Sequence, residues 1–243
     1  MDDALIQEIN RLRELKLPPK QIARQLGLRP AEVTTIIKAK ATEISQERQA
    51  KGELPPIAEC LINENAARYL LDTRTAQDRR QMLKTLDADG VGGLGQVVVT
   101  RLDRNQYIAC SYLIDYWCLG VKDALGPRKF DRFKYDAFSK KVFERFTQSV
   151  REITLEEAQS IIFGVIDYAA SLGFQPHADF EQAQINLGSR PKTLLPIEFG
   201  KDGKPFYISG PYDNPDRIIR TLEKHVGQGN FDYLLPINLP PGF

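Results

Sequence analysis

Cysteine and histidine are scarce in this chain. Its 243 residues include three Cys (Cys60, Cys110, Cys118) and two His (His177, His225). They form no C-x-x-C pair and no even set of half-cystines, so neither a disulfide framework nor a structural zinc site is expected. Scattered thiols fit a reducing compartment. Long apolar runs are also missing. The most apolar stretch, Ile161–Leu172, is interrupted by Asp167, and it falls well short of the roughly 20 residues a membrane span needs. The opening MDDALIQEINRLREL is charged throughout and lacks the apolar centre of a signal peptide. These absences predict a cytoplasmic protein with no membrane contact, no cofactor and no bound metal. An excess of one charge is lacking too. The 33 Lys plus Arg against 32 Asp plus Glu give a net charge of +1, which excludes a polybasic arm or acidic tail as the dominant feature. No internal repeat is visible.

The remaining composition is that of a globular chain long enough for one or two domains. The total charge conceals an uneven distribution. Residues 1–51 hold ten basic and seven acidic residues, and residues 128–152 hold eight and four. Two basic stretches therefore sit on an otherwise acidic body.

The first stretch carries a specific helical pattern. Leu5, Ile9, Leu12 and Leu15 recur at helical spacing, and Pro18 and Pro19 end that helix. A short helix over Lys20–Leu26 follows, with Gly27 at a tight turn. Pro30 suits the first position of a third helix, whose apolar face is Val33, Ile36 and Ile37. Small Ala23 lets two helices approach, and Leu28 fills the gap behind the turn. The stretch QIARQLGLRPAEVTTIIK resembles the helix-turn-helix of bacterial regulators and of sigma-factor region 4. The resemblance covers about one seventh of the chain. It implies that the helix after the turn enters a DNA major groove. The DNA-contacting residues would be Gln21, Arg24, Arg29, Thr34, Thr35 and Lys38, with Ala31 on the same face. Glu32 lies at that would-be interface. The alternative is that the same helices serve as a protein-docking face or as packing for the rest of the chain. Residues 41–56 read as a helix end and a short linker, giving domains 1–51 and 55–243.

The larger domain offers weaker signals. Ile57–Leu71 and Thr75–Leu86 read as helices, the second capped by Thr75 with Asp78. The loop DADGVGGLG has phosphate-loop spacing but follows a helix and opens a strand, the wrong order for a dinucleotide fingerprint, so Asp87 and Asp89 read as solvated. A hairpin is expected from Gln96–Leu102, a turn at Asp103-Arg104-Asn105, and a long strand Gln106–Leu119. Asp115 lies in that strand between Leu113 and Trp117. A carboxylate there must be partnered or titrate abnormally, so Asp115, followed by Lys122 and Asp123, is the candidate catalytic group. The alternative is a satisfied structural carboxylate.

Residues 128–152 read as a helix that interleaves aromatics with Lys129, Arg132, Lys134, Lys140 and Lys141. This is a secondary basic surface for nucleic acid, or the wet face of a core helix. Thr154 and Glu157 make a capping box before the helix Ile153–Phe174. His177 and Asp179 are two groups alone, which make neither a triad nor a metal site. A second hairpin is expected from Leu194–Phe199 and Pro205–Ser209, with Gly203 at its turn. Asn214 and Pro215 open a last helix, and a strand over Phe231–Ile237 follows. The stretches YLIDYWCLGVKDA and IEFGKDGKPFYISGPYDNPDRIIRTL resemble an uncharacterised bacterial family of unknown function, which implies no activity.

The predicted class is α+β: a three-helix module, then a mixed domain with two hairpins. The function expected is DNA binding, regulatory in kind, by a homodimer whose second domain senses a ligand, binds a partner or dimerises. Two alternatives stand beside it. One is a metal-dependent nucleic-acid-processing enzyme in which Asp115, Lys122, Asp123 and Asp202 converge. The other is a partner-binding protein docking on transcription or translation machinery.

Overall fold

The computed structural model describes residues 3–72, 92–146 and 149–235. The helix expected over 75–86 with its Thr75–Asp78 cap, the loop residues Asp87 and Asp89, and the tail from 236 lie outside them. The chain divides into two compact units, Met1–Pro56 with Leu102–Asn105, and Ile57–Arg101 with Gln106–Phe243.

In the first unit, α1 (Asp3–Glu14), α2 (Pro19–Leu26) and α3 (Pro30–Ala50) close on one apolar cluster. Ile9, Leu12, Ile22, Ala23, Val33 and Ile36 are its buried members. Pro19 stands in the first turn of α2, where its missing N–H forfeits no helical bond. Gly27 ends α2 in the left-handed conformation, with φ 67° and ψ 26°. The Leu28 N–H then returns to the Ala23 carbonyl at 2.9 Å, satisfying a carbonyl the helix end leaves open. α3 runs on to Ala50, through the stretch expected to fray.

The second unit is built on a five-stranded sheet of β1 (Ile57–Asn63), β2 (Leu94–Asp103), β3 (Gln106–Asp115), β4 (Gly120–Phe130) and β5 (Val150–Ile153). The strand order is β4-β3-β2-β1-β5. Alternation along the strands separates two apolar faces. Cys60, Ile62, Val97, Val99, Cys110, Tyr112 and Ile114 belong to the larger core. α6 (Leu155–Ser171) covers that face with Ala158, Ile161, Ile162 and Val165. Leu61, Val98 and Leu113 face the other way. There they meet Phe138, Val142 and Phe143 of α5 (Arg132–Phe143). An antiparallel sheet with helices on both faces explains why β2 is buried over most of its length.

The class is α+β, as the element order predicts. Several elements differ from the sequence reading. Ile57–Leu71 is not a helix: β1 occupies Ile57–Asn63, and only the short α4 (Glu64–Ala67) and one π-helical turn (Arg68–Asp72) follow. β1 is a strand because it pairs with β2 and β5, a stabilisation no local window contains. The long strand expected to Leu119 stops at Asp115, and residues 116–119 turn the chain into β4. The helix expected over 128–152 is α5 alone, flanked by the end of β4 and by β5. The second hairpin is reduced to one bridge, Lys201 with Lys204, around the expected turn at Gly203. β6 (Phe206–Ile208) pairs instead, in parallel, with β7 (Asp232–Leu234).

The strongest local signals hold. Thr154 and Glu157 form a complete capping box at α6. Asn214 caps α8 (Pro215–Val226) by accepting the Arg217 N–H. α7 (Phe180–Ala183) is a short turn after the loop that carries His177. Among the described residues, no helix is long and apolar enough to cross a membrane.

Candidate functional site

In the first unit, Val33 and Ile36 turn inward, so helical geometry puts Ala31, Thr34, Thr35 and Lys38 on the opposite face of α3. Gln21, Arg24, Arg29, Thr35 and Lys38 are exposed and Thr34 is half-buried. Their chemistry is not equivalent. The Glu32 carboxylate accepts the Arg29 backbone N–H at 2.9 Å and its guanidinium at 2.8 Å. Glu32 therefore caps α3 and neutralises the Arg29 charge locally. The Thr34 hydroxyl donates to the Pro30 carbonyl at 2.7 Å and the Thr35 hydroxyl to that of Ala31 at 2.9 Å. With the hydroxyl hydrogens turned back onto the helix, these threonines offer methyl groups and acceptor lone pairs outward. Arg24 and Lys38 make no ion pair among the described residues. They are, with Lys20 and Arg48, the cations of the α2–α3 pair that no carboxylate engages among the described residues.

In the second unit, Asp115 is buried at the end of β3. Its Oδ1 accepts the backbone N–H groups of Trp117 and Cys118, each at 3.0 Å. Burial pushes the carboxyl up to about 6, while the nearby Lys122 ammonium and these N–H donors pull it the other way. Asp115 thus holds the turn that joins β3 to β4. Lys122 owes its direction to a register change. Leu113 pairs with Asp123 and Ile114 with Val121, so Lys122 is the extra residue of a β-bulge. Its Nζ meets both Asp213 oxygens at 3.0 and 3.1 Å. Asp213 also accepts the Gly210 N–H at 2.8 Å and lies within reach of the Tyr207 hydroxyl. Sequence reasoning missed Asp213, which lies in a turn 91 residues from Lys122. No signal short of the fold could have paired them.

Asp123 joins a different group. Its carboxylate, His177 and Asp179 place one donor atom each within 4.8 Å of one another, all exposed. The loop is pinned there because the His177 backbone N–H bonds the Val121 carbonyl at 2.9 Å. His177 Nδ1 already accepts the Asp179 N–H at 3.3 Å, so one nitrogen of the imidazole is engaged. Asp202 is exposed in the turn between Lys201 and Lys204. The carboxylates and lysine named as catalytic candidates therefore fall into separate groups. Asp115 serves a turn, Lys122 an ion pair, and Asp123 a surface cluster.

The secondary basic residues are all exposed, Lys129 on β4 and Arg132, Lys134, Lys140 and Lys141 on α5. Arg132 donates to the Tyr107 hydroxyl at 2.9 Å and to Asp136 at 3.2 Å. Lys134 stands 3.5 Å from Asp131, which caps α5. The buried Tyr135 hydroxyl donates to Glu59 and accepts from Thr100, which fixes the inner face of this helix.

Comparison with known proteins adds no relative: no family model matches the chain, and no curated protein or solved structure matches it.

Proposed function

We propose that this chain is a DNA-binding protein whose first unit places α3 in the major groove. The observation that carries the reading is the α2–α3 pair itself. A left-handed Gly27 joins two helices packed through Ile22, Ala23, Val33 and Ile36, while the opposite face of α3 is small and polar. The small face of Ala31, Thr34 and Thr35 allows close approach to base edges, and threonine methyls suit thymine methyls. Arg24 and Lys38 supply the phosphate contacts. Arg29, already paired with Glu32, contributes less than its charge suggests. One such module binds weakly, so the working form is a homodimer on two half-sites about 34 Å apart. The second unit supplies dimerisation, sensing or partner contacts.

The test is charge reversal at Arg24 and Lys38 together (R24E/K38E). Both side chains are exposed, so the melting temperature should hold. Salt-sensitive retention on duplex DNA should be lost, because each phosphate contact contributes to the salt slope. Unaltered retention would sink the reading.

A further inference from the structure

The core-facing residues of α5 are Tyr135, Phe138, Val142 and Phe143. At 100° per residue the opposite stripe is Phe133, Ala137, Lys140 and Lys141. A phenylalanine at the outermost position of an amphipathic helix contradicts burial of apolar surface, and Phe133 is 84% exposed. None of its ring faces is covered by another aromatic group, whereas Phe130, Tyr107 and Tyr135 are each stacked. Ala137, one turn on, adds no bulk beside the ring.

The charge around the ring is equally uneven. Two acidic residues of this segment are engaged: Asp131 caps the helix and Asp136 is held by Arg132 at 3.1 Å. Glu144, exposed one turn beyond Lys140, is the acidic group that shares the stripe. Arg128, Lys140 and Lys141 make no ion pair among the described residues. The stripe therefore presents one open aromatic face with Lys140 and Lys141 on the same side, against the single carboxylate of Glu144 at its far end. Phe133 and Lys140 are about 10 Å apart along the axis at 1.5 Å per residue. That span suits a base on the ring and a phosphate one or two nucleotides away.

We propose that this face of α5 binds single-stranded nucleic acid, with Phe133 stacking a base and Lys140 and Lys141 meeting the backbone. A ring stacks only on a base that has left its duplex neighbours, and it accepts any base because it makes no hydrogen bond. A lipid surface fits less well. Stable membrane attachment needs an apolar helix face, and here the rest of the stripe is alanine, lysine and glutamate. The proposal does not rest on the duplex reading, which uses the other unit.

The experiment is fluorescence anisotropy of a labelled oligothymidylate with the full chain. Binding is expected, and Phe133→Ala should weaken it by about tenfold, within the range of single-base stacking. The melting temperature should barely move, since the side chain is almost wholly exposed. Charge reversal at Lys140 and Lys141 (K140E/K141E) should weaken binding further and reduce the salt slope by about 1 to 2. R24E/K38E should leave oligothymidylate binding intact while removing duplex retention, so the two readings fail separately. Absence of oligothymidylate binding, or equal binding by Phe133→Ala, would overturn the proposal. So would loss of binding in R24E/K38E, or capture by phosphatidylserine vesicles in place of the oligonucleotide.

Discussion

Asp115→Asn should stabilise the second unit at neutral pH and have little effect in acid. Burial raises the carboxyl to about 6 in the folded chain, from the 3.8 of an ordinary aspartate. The native pKa is the higher, so the native state carries the extra proton between these values. Stability is then fully present below about pH 4 and declines as pH rises through 6. At about 1.4 kcal/mol per pH unit, that rise corresponds to about 3 kcal/mol. The attraction of Lys122 is already within that net figure, because it opposes the shift. Asparagine is neutral at every pH, and its carbonyl oxygen can accept the same N–H groups of Trp117 and Cys118. Trp117 is the one tryptophan of the sequence and is 1% exposed. Its emission therefore follows unfolding of this unit alone. Urea unfolding of parent and variant should be compared at steps across about pH 4 to 8. The free-energy difference should rise from near zero to about 3 kcal/mol and level off above the window. A difference that stays flat, or that favours the parent at neutral pH, refutes the reasoning. The N–H donors and Lys122 would then outweigh the loss of hydration.

Gly120→Ala should destabilise the second unit by more than about 2 kcal/mol, seen as a fall in melting temperature. Gly120 has φ 76°, and a β-carbon there would stand 2.6 Å from that of Ala169 on α6. The three thiols should resist a thiol reagent in the native protein and react together after denaturation. All are buried, burial pushes Cys60 and Cys110 up to about 12, and Cys118 is also raised. Rapid native reaction of even one thiol would show that its burial is wrong.

The sequence was most informative where the signal was local. Gly27 and Pro30 bracket a turn whose geometry depends on those two residue types. The Thr154–Glu157 box spans three residues, and Asn214 with Pro215 sets its own helix start. Local pattern misleads where the deciding partner is distant. IAECLIN reads as a helix followed by more helix until Val97–Arg101 and Val150–Ile153 flank it. GVKDALGPRKF carries Gly, Pro and charges, yet it becomes β4 because it covers the edge of β3. Asp115 was legible as an anomaly, since its apolar neighbours demanded a partner. Its use was not, because the donors are the N–H groups of the turn that follows. Lys122 and Asp123 are adjacent in the chain, yet the bulge sends them to different partners.

The place of β5 in the sheet has a consequence for the order in which the protein assembles as it is made. β2, β3 and β4 follow one another with short turns and can pair as soon as they leave the ribosome. β1, synthesised earlier, lies between β2 and β5, and its outer edge stays open until Val150–Ile153 arrives. The two sheet faces wait as well, one for α5 and the other for α6. A nascent chain stopped after Phe130 would expose both apolar faces and a bare strand edge, a species prone to aggregate or to recruit chaperones. Vectorial synthesis therefore completes this sheet from its middle strands outward, and the segment from Arg132 to Ser171 commits it.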